Sequence, residues 1–147
     1  MAQDPRLRSI ATFEATCADC RETFPAPLLG DFSYGQFLLY GRRGTAYAYL
    51  DAPATGVWKL ADSVIQSRDG DPILRALAAV ADPVDGQPLG TDRVCPLCHS
   101  RRDWESWPGP RVGSVEIPPV TFAAFDRLAD EEKRRLLRKY AAPSGGR

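Results

Sequence analysis

Hydrophobic and polar residues alternate or recur with recognisable periods over most of the chain. Ser9 to Thr16 alternates, with β-branched and aromatic residues, and predicts a strand that does not start before Asp4 and Pro5. Phe24 to Gly30 carries Pro25 and Pro27, which remove two backbone donors, and is expected to be loop. Gln36–Tyr40 and Thr45–Leu50 predict a hairpin. Its connection is Gly41-Arg42-Arg43-Gly44, with glycine at both ends to supply positive φ. In the second strand Ala46, Ala48 and Leu50 share a face, and residues so small predict a helix packed closely there.

Thr55–Ser67 places Val57, Trp58, Leu60, Ala61, Val64 and Ile65 at helical spacing. Asp69-Gly70 predicts a turn. Asp71 and Pro72 then supply an N-cap and a proline at the first position of a second helix through Val80. Asp82 to Asp92 is rich in proline, glycine and aspartate and predicts a loop. Val112–Ile117 alternates as a strand, which Pro118-Pro119 ends. Thr121 is expected to cap a short helix bearing Phe122, Phe125 and Leu128. Asp130 is expected to cap a last one, with Glu131 and Glu132 in its first turn, Arg138 and Lys139 in its last, and a stripe of Leu136, Leu137 and Tyr140. The expected fold is α+β: a knuckle-bearing β-sheet core, a helical insert at about residues 55–81, and C-terminal helices packed back on it. Residues 1–142 form one domain in this reading, and residues 143–147 a flexible tail.

Two motifs stand outside these periodicities. They are Cys17-Ala-Asp-Cys20 and Cys95-Pro-Leu-Cys98, and they hold all four cysteines. A Cys-x-x-Cys lets two thiolates turn toward one ion, and two such pairs supply the four ligands of tetrahedral Zn²⁺. The spacer is far longer than the roughly 15–20 residues of a compact ribbon. Loop-closure entropy grows by only about 0.6 kcal/mol per doubling, so an inserted unit between the pairs is tolerated. Disulfides, redox chemistry and unrelated core cysteines are the competing readings. Metal is favoured because no cysteine is left over, and because a redox pair is normally a single motif at the start of a helix. Four thiolates leave no open coordination position, so such a zinc is structural. His99 follows Cys98 directly. Adjacent residues seldom both reach one small ion, so His99 is expected outside the coordination sphere.

Both motifs resemble the knuckles of zinc-ribbon and treble-clef proteins, although Arg21 and His99 stand where a glycine is usual. The resemblance implies a zinc fold and no particular activity. A fainter one is to Yippee and cereblon-type β-tent domains, which also separate two such pairs by a long β-rich stretch. Gly44-Thr45-Ala46-Tyr47 and the later Trp104 are similar to them, and the helical stretch from Val57 to Val80 is not. Gly30 to Gly35, Gly-Asp-Phe-Ser-Tyr-Gly, is a distinctive segment of unassigned role.

The 147 residues are 44% hydrophobic and 26% charged, with nineteen basic groups balanced by nineteen acidic ones. Zero net charge gives no overall field toward nucleic acid or an anionic membrane. The start of the chain lacks a signal-peptide profile and no stretch is long enough to span a bilayer, so a reducing, cytoplasmic setting is expected.

Arginines occur as the pairs Arg42-Arg43, Arg101-Arg102 and Arg134-Arg135. Two of these lie near aromatics, the combination used on single-stranded nucleic acid. Arg101, Arg102, Trp104 and Trp107, with Arg42 and Arg43, are the candidate partner-binding residues, arginine and tryptophan being favoured interface residues. An exposed tryptophan in an extended stretch would mark a binding surface, and two buried ones would assign the pair to the core. No nucleophile-elbow serine or phosphate loop is present. The leading expectation is a non-enzymatic, zinc-stabilised protein-binding module or adaptor, such as a small bacterial immunity or regulatory protein. The alternatives are a nucleic-acid-binding regulator using the paired arginines, and an enzyme with an unrecognised carboxylate and arginine site.

Overall fold

A computed structural model describes residues 6–29, 35–52, 55–67 and 70–142. The expected tail at 143–147, Asp4 and Pro5, Asp69 and most of the Gly30–Gly35 segment lie outside the described residues. The fold is α+β, with two three-stranded antiparallel sheets and four helices among the described residues.

The first sheet has the order β2-β1-β6, with β1 (Arg8–Thr16) central between β2 (Thr23–Pro27) and β6 (Arg111–Ile117). β2 corrects the expected loop. It pairs with β1 through Glu14↔Pro25 and Thr12↔Pro27 despite its two prolines. β2 is an edge strand, and Leu28 N donates inward to Ala11 O (3.2 Å). Pro25 and Pro27 have the opposite parity, so their missing N–H groups fall on the outer edge, where the sheet needs no donor. The β1–β6 register shifts between Thr12 and Phe13, which oppose Gly113 and Arg111, so Val112 is bulged out.

The second sheet has the order β4-β3-β5: β3 (Gln36–Gly41), β4 (Tyr47–Asp51) and the two-residue β5 (Leu89–Gly90). The hairpin is as expected, with Tyr40 opposite Tyr47, but only Gly44 of its glycines has positive φ (81°). Gly41 serves close approach instead, since a Cβ there would stand 2.4 Å from Gln87 Oε1. β5 was not foreseen in the Asp82–Asp92 loop.

α1 (Gly56–Ile65), α2 (Asp71–Val80), α3 (Ala123–Asp126) and α4 (Asp130–Ala141) follow the expected segments. The expected caps are displaced. Gly70, already helical in φ and ψ, caps α2, with Asp71 inside the first turn; Ala129 caps α4 in place of Asp130. Thr121 does not cap α3. Its hydroxyl donates to Asp82 Oδ2 (2.7 Å), and the Asp82 carboxylate accepts from the N–H groups of Ala123 (2.7 Å) and Ala124 (3.2 Å). A residue some forty positions upstream thus satisfies the first turn of α3. Burial raises the Asp82 carboxyl, but these hydrogen bonds and Arg127 outweigh it and hold the group below the ordinary carboxylate range.

Leu50, Ala61, Ile73, Ala76, Leu77, Phe122, Phe125 and Leu137 form the main core, where α1, α2 and α4 meet. Ala48 packs with Leu39, Ala78 and Leu89, so the small face of β4 does receive a helix, α2. Of the α4 stripe Leu137 is buried and Leu136 half-buried, while Tyr140 is exposed. No helix among the described residues is long and apolar enough to cross a membrane.

Candidate metal centre

Cys17 directly follows β1 and Cys20 precedes β2, so the first knuckle is the β1–β2 connection. The second sits where the chain returns from the helical unit. The two have the same hydrogen-bond pattern. In the first, Arg21 N donates to Cys17 O (3.0 Å) and Cys17 N to Glu22 O (3.0 Å). In the second, His99 N donates to Cys95 O and Cys95 N to Ser100 O, both at 2.9 Å. Arg21 and His99 each have φ 66°, the left-handed conformation for which glycine is usual. They therefore perform the glycine's backbone task, and the departure seen in the sequence is one of residue type alone.

The four sulfurs lie within 4.8 Å of one another. Cys17 Sγ is 3.6 Å from Cys98 Sγ, and Cys20 Sγ is 3.7 Å from Cys95 Sγ. These separations far exceed the roughly 2.05 Å of a disulfide, and the four cysteines are free thiols. Backbone N–H groups point at the leading sulfur of each knuckle. Asp19 and Cys20 donate to Cys17 Sγ at 3.3 and 3.4 Å, and Leu97 and Cys98 to Cys95 Sγ, both at 3.4 Å. Such donors stabilise thiolate over thiol. Burial raises the Cys17 thiol, but the N–H groups of Cys20 and Asp19 outweigh it and bring it down to about 7. Four converging sulfurs can hold one metal ion. His99 stands outside this cluster.

The knuckles are also tied to each other. Glu105 N donates to Thr16 O (2.9 Å), Gly109 N to Glu14 O (3.0 Å) and Glu14 N to Pro110 O (2.9 Å), so the chain leaving the second knuckle runs beside β1. Arg21 pairs with Glu105 (2.9 Å) and Arg102 with Asp19 (2.6 Å), while the Ser100 hydroxyl also donates to Asp19. Cys17 and Cys95 are buried with Ala15, Phe24, Ala26 and Trp104. The hairpin tip of the second sheet abuts this unit. A Cβ on Gly44 would lie 2.6 Å from Val94 O and 2.9 Å from Pro96 N.

The candidate partner-binding residues divide. Trp104, at 6% exposure, belongs to the core. Its ring meets Phe24 edge-on at 5.2 Å and Trp107 at 4.9 Å. Trp107 is half-buried against it, and the Arg93 guanidinium lies 5.7 and 5.8 Å from the two ring centres. The stretch is neither a strand nor a helix. Trp104 packs beneath the knuckles, where apolar cover is needed beside the cysteines. Arg42, Arg43, Arg101 and Arg102 are all exposed, and the structure brings Arg42 and Arg101 to one cleft with Tyr40. Arg93, which lines a second cavity that shares Tyr40 and Arg101 with that cleft, was missed. It carries no motif, and only its place two residues before Cys95 marks it.

No protein-family model, no curated protein and no solved structure matches the chain. The resemblance to zinc-ribbon, treble-clef and β-tent proteins therefore rests on the sequence motifs alone.

Proposed function

We propose that the four cysteines bind structural Zn²⁺ and that the chain is a non-enzymatic protein-binding module working in a reducing, cytoplasmic setting. The observation that carries the metal reading is the pair of like knuckles with sulfurs 3.6 and 3.7 Å apart across them. A tetrahedral zinc with bonds of about 2.3 Å sets its sulfur ligands about 3.8 Å apart. Cys17, Cys20, Cys95 and Cys98 fill all four positions, which leaves the ion a clamp between distant parts of the chain. No coordination position remains for a reacting water.

The binding reading follows from what the clamp displays. Leu97 at the tip of the second knuckle is 57% exposed, an apolar side chain on a turn held by metal and hydrogen bonds. A rigid support lowers the ordering cost of association. Arg101 and Arg43 are exposed nearby in the chain and at the hairpin tip. The test is affinity capture from the source cell with zinc-loaded protein, beside a Leu97→Asp variant of unchanged metal content. The expected result is a discrete protein retained by the parent and lost by the variant. Retention of nothing specific, or of the same protein by both, contradicts the reading. The nucleic-acid alternative is weakened as first framed, because Arg102 is committed to Asp19 and Arg135 to Glu132.

A further inference from the structure

The arginine pairs read from the sequence do not act as pairs. Arg102 turns to Asp19, whereas Arg101 and Arg42, far apart in the chain, line one small cleft. The seating of Gly44 on the Val94–Pro96 backbone explains the convergence, since it brings the hairpin tip to the second knuckle. The cleft has a volume of about 80 Å³, with Tyr40, Leu89, Val94 and Asp92 also in its wall. That is room for a few waters or one small polyatomic ion, and too little for an organic ligand that needs roughly 300 Å³ or more.

Arg21, Arg102 and Arg135 are engaged in ion pairs, whereas among the described residues neither Arg42 nor Arg101 has a side-chain hydrogen bond or an ion pair. Asp92 is the one carboxylate in the wall, so two guanidinia face one negative charge. A second cavity, lined by Arg93, Gln36 and Asp103, shares Tyr40, Asp92 and Arg101 with the cleft. There the Arg93 guanidinium is steadied against Trp104 and Trp107, with its Nε buried and unpartnered. Tyr40, 9% exposed, is part of the cleft wall. Burial raises its phenol above the ordinary value, the nearby Arg93 charge opposing this only in part, so the hydroxyl remains a donor at neutral pH.

We propose that this cleft is a phosphate-binding site, in which Arg42 and Arg101 grip the oxyanion from opposite sides. Guanidinium forks match phosphate oxygens in pairs, and fixed donors in a shaped recess give more than a lone surface charge. None of the four cysteines lines the site, and it does not depend on a protein partner's binding at Leu97.

The test follows the side-chain Nε–H resonances of arginine in the zinc-loaded full chain. Inorganic phosphate is added at constant ionic strength, with Arg111 on β6 as an exposed reference. Saturable shifts are expected at Arg42 and Arg101 and not at Arg111. Arg42→Gln and Arg101→Gln, each checked for unchanged zinc content and a native spectrum, should each weaken binding about tenfold or more. Asp92→Asn should tighten it severalfold. A second arm uses an oligothymidylate of about eight nucleotides. Saturation of the same two arginines by the oligonucleotide, with steep salt dependence, assigns the phosphate to a strand; saturation by inorganic phosphate alone assigns a discrete phosphate group. Shifts that never saturate, that appear equally at Arg111, or that survive both glutamine variants overturn the proposal.

Discussion

Arg21 and His99 occupy left-handed backbone at φ 66°, where a side chain costs roughly 1–2 kcal/mol relative to glycine. Arg21 recovers part of this through Glu105, but His99 is exposed and lies outside the sulfur cluster. His99→Gly should therefore stabilise the protein, by up to about 1 kcal/mol after the entropy of the freer unfolded chain is counted. Chemical denaturation checks this, and the metal content should not change. Loss of metal in that variant would make His99 a ligand. Gly44 is the opposite case, with φ 81° and no room for a Cβ against Val94 O. Gly44→Ala should cost more than about 1 kcal/mol by the same measurement. The sequence shows a turn glycine at this position. It does not show what the turn touches, because that contact joins residues some fifty positions apart.

At the scale of elements, α1, α2 and α4 were legible because each carries a 3.6-residue apolar stripe that ends at polar or small residues. β2 was not, since Pro25 and Pro27 argue against a strand until it is known that the strand is an edge with both proline nitrogens on its unpaired side. β5 was too short to show a period, and it exists through its pairing with Tyr40 and Gly41. The capping of α3 was illegible for a related reason. Its cap is the Asp82 side chain, which no local pattern connects to Ala123 and Ala124. Asp82→Ala should cost about 1 kcal/mol at neutral pH, the usual worth of a side-chain cap. The folded-state carboxyl lies below its ordinary value, so its contribution is full above the unfolded carboxylate range and falls as pH drops through the folded value. The stability gap between parent and variant, measured by denaturation across acidic pH, should narrow accordingly. A gap that stays constant into strong acid would remove the charge from the account.

For the whole molecule, the four cysteines were the most legible feature, since spacing alone identifies a Cys-x-x-Cys. The division into two sheets was not, because nothing in the alternating segments says which strands pair. One sheet carries the first knuckle, the other is covered by the helices, and the second knuckle meets both through Thr16–Glu105 and the Gly44 seat. Cys95 is fully buried at that junction. Cys95→Ser should consequently unfold or aggregate the chain, as seen by circular dichroism, and a chelator should act in the same direction. The most direct test of the account is the metal content of the purified chain by elemental analysis, paired with native mass spectrometry. About one Zn²⁺ per chain with all four cysteines reduced is the expected result. A folded, metal-free chain with its cysteines joined in disulfides would contradict it.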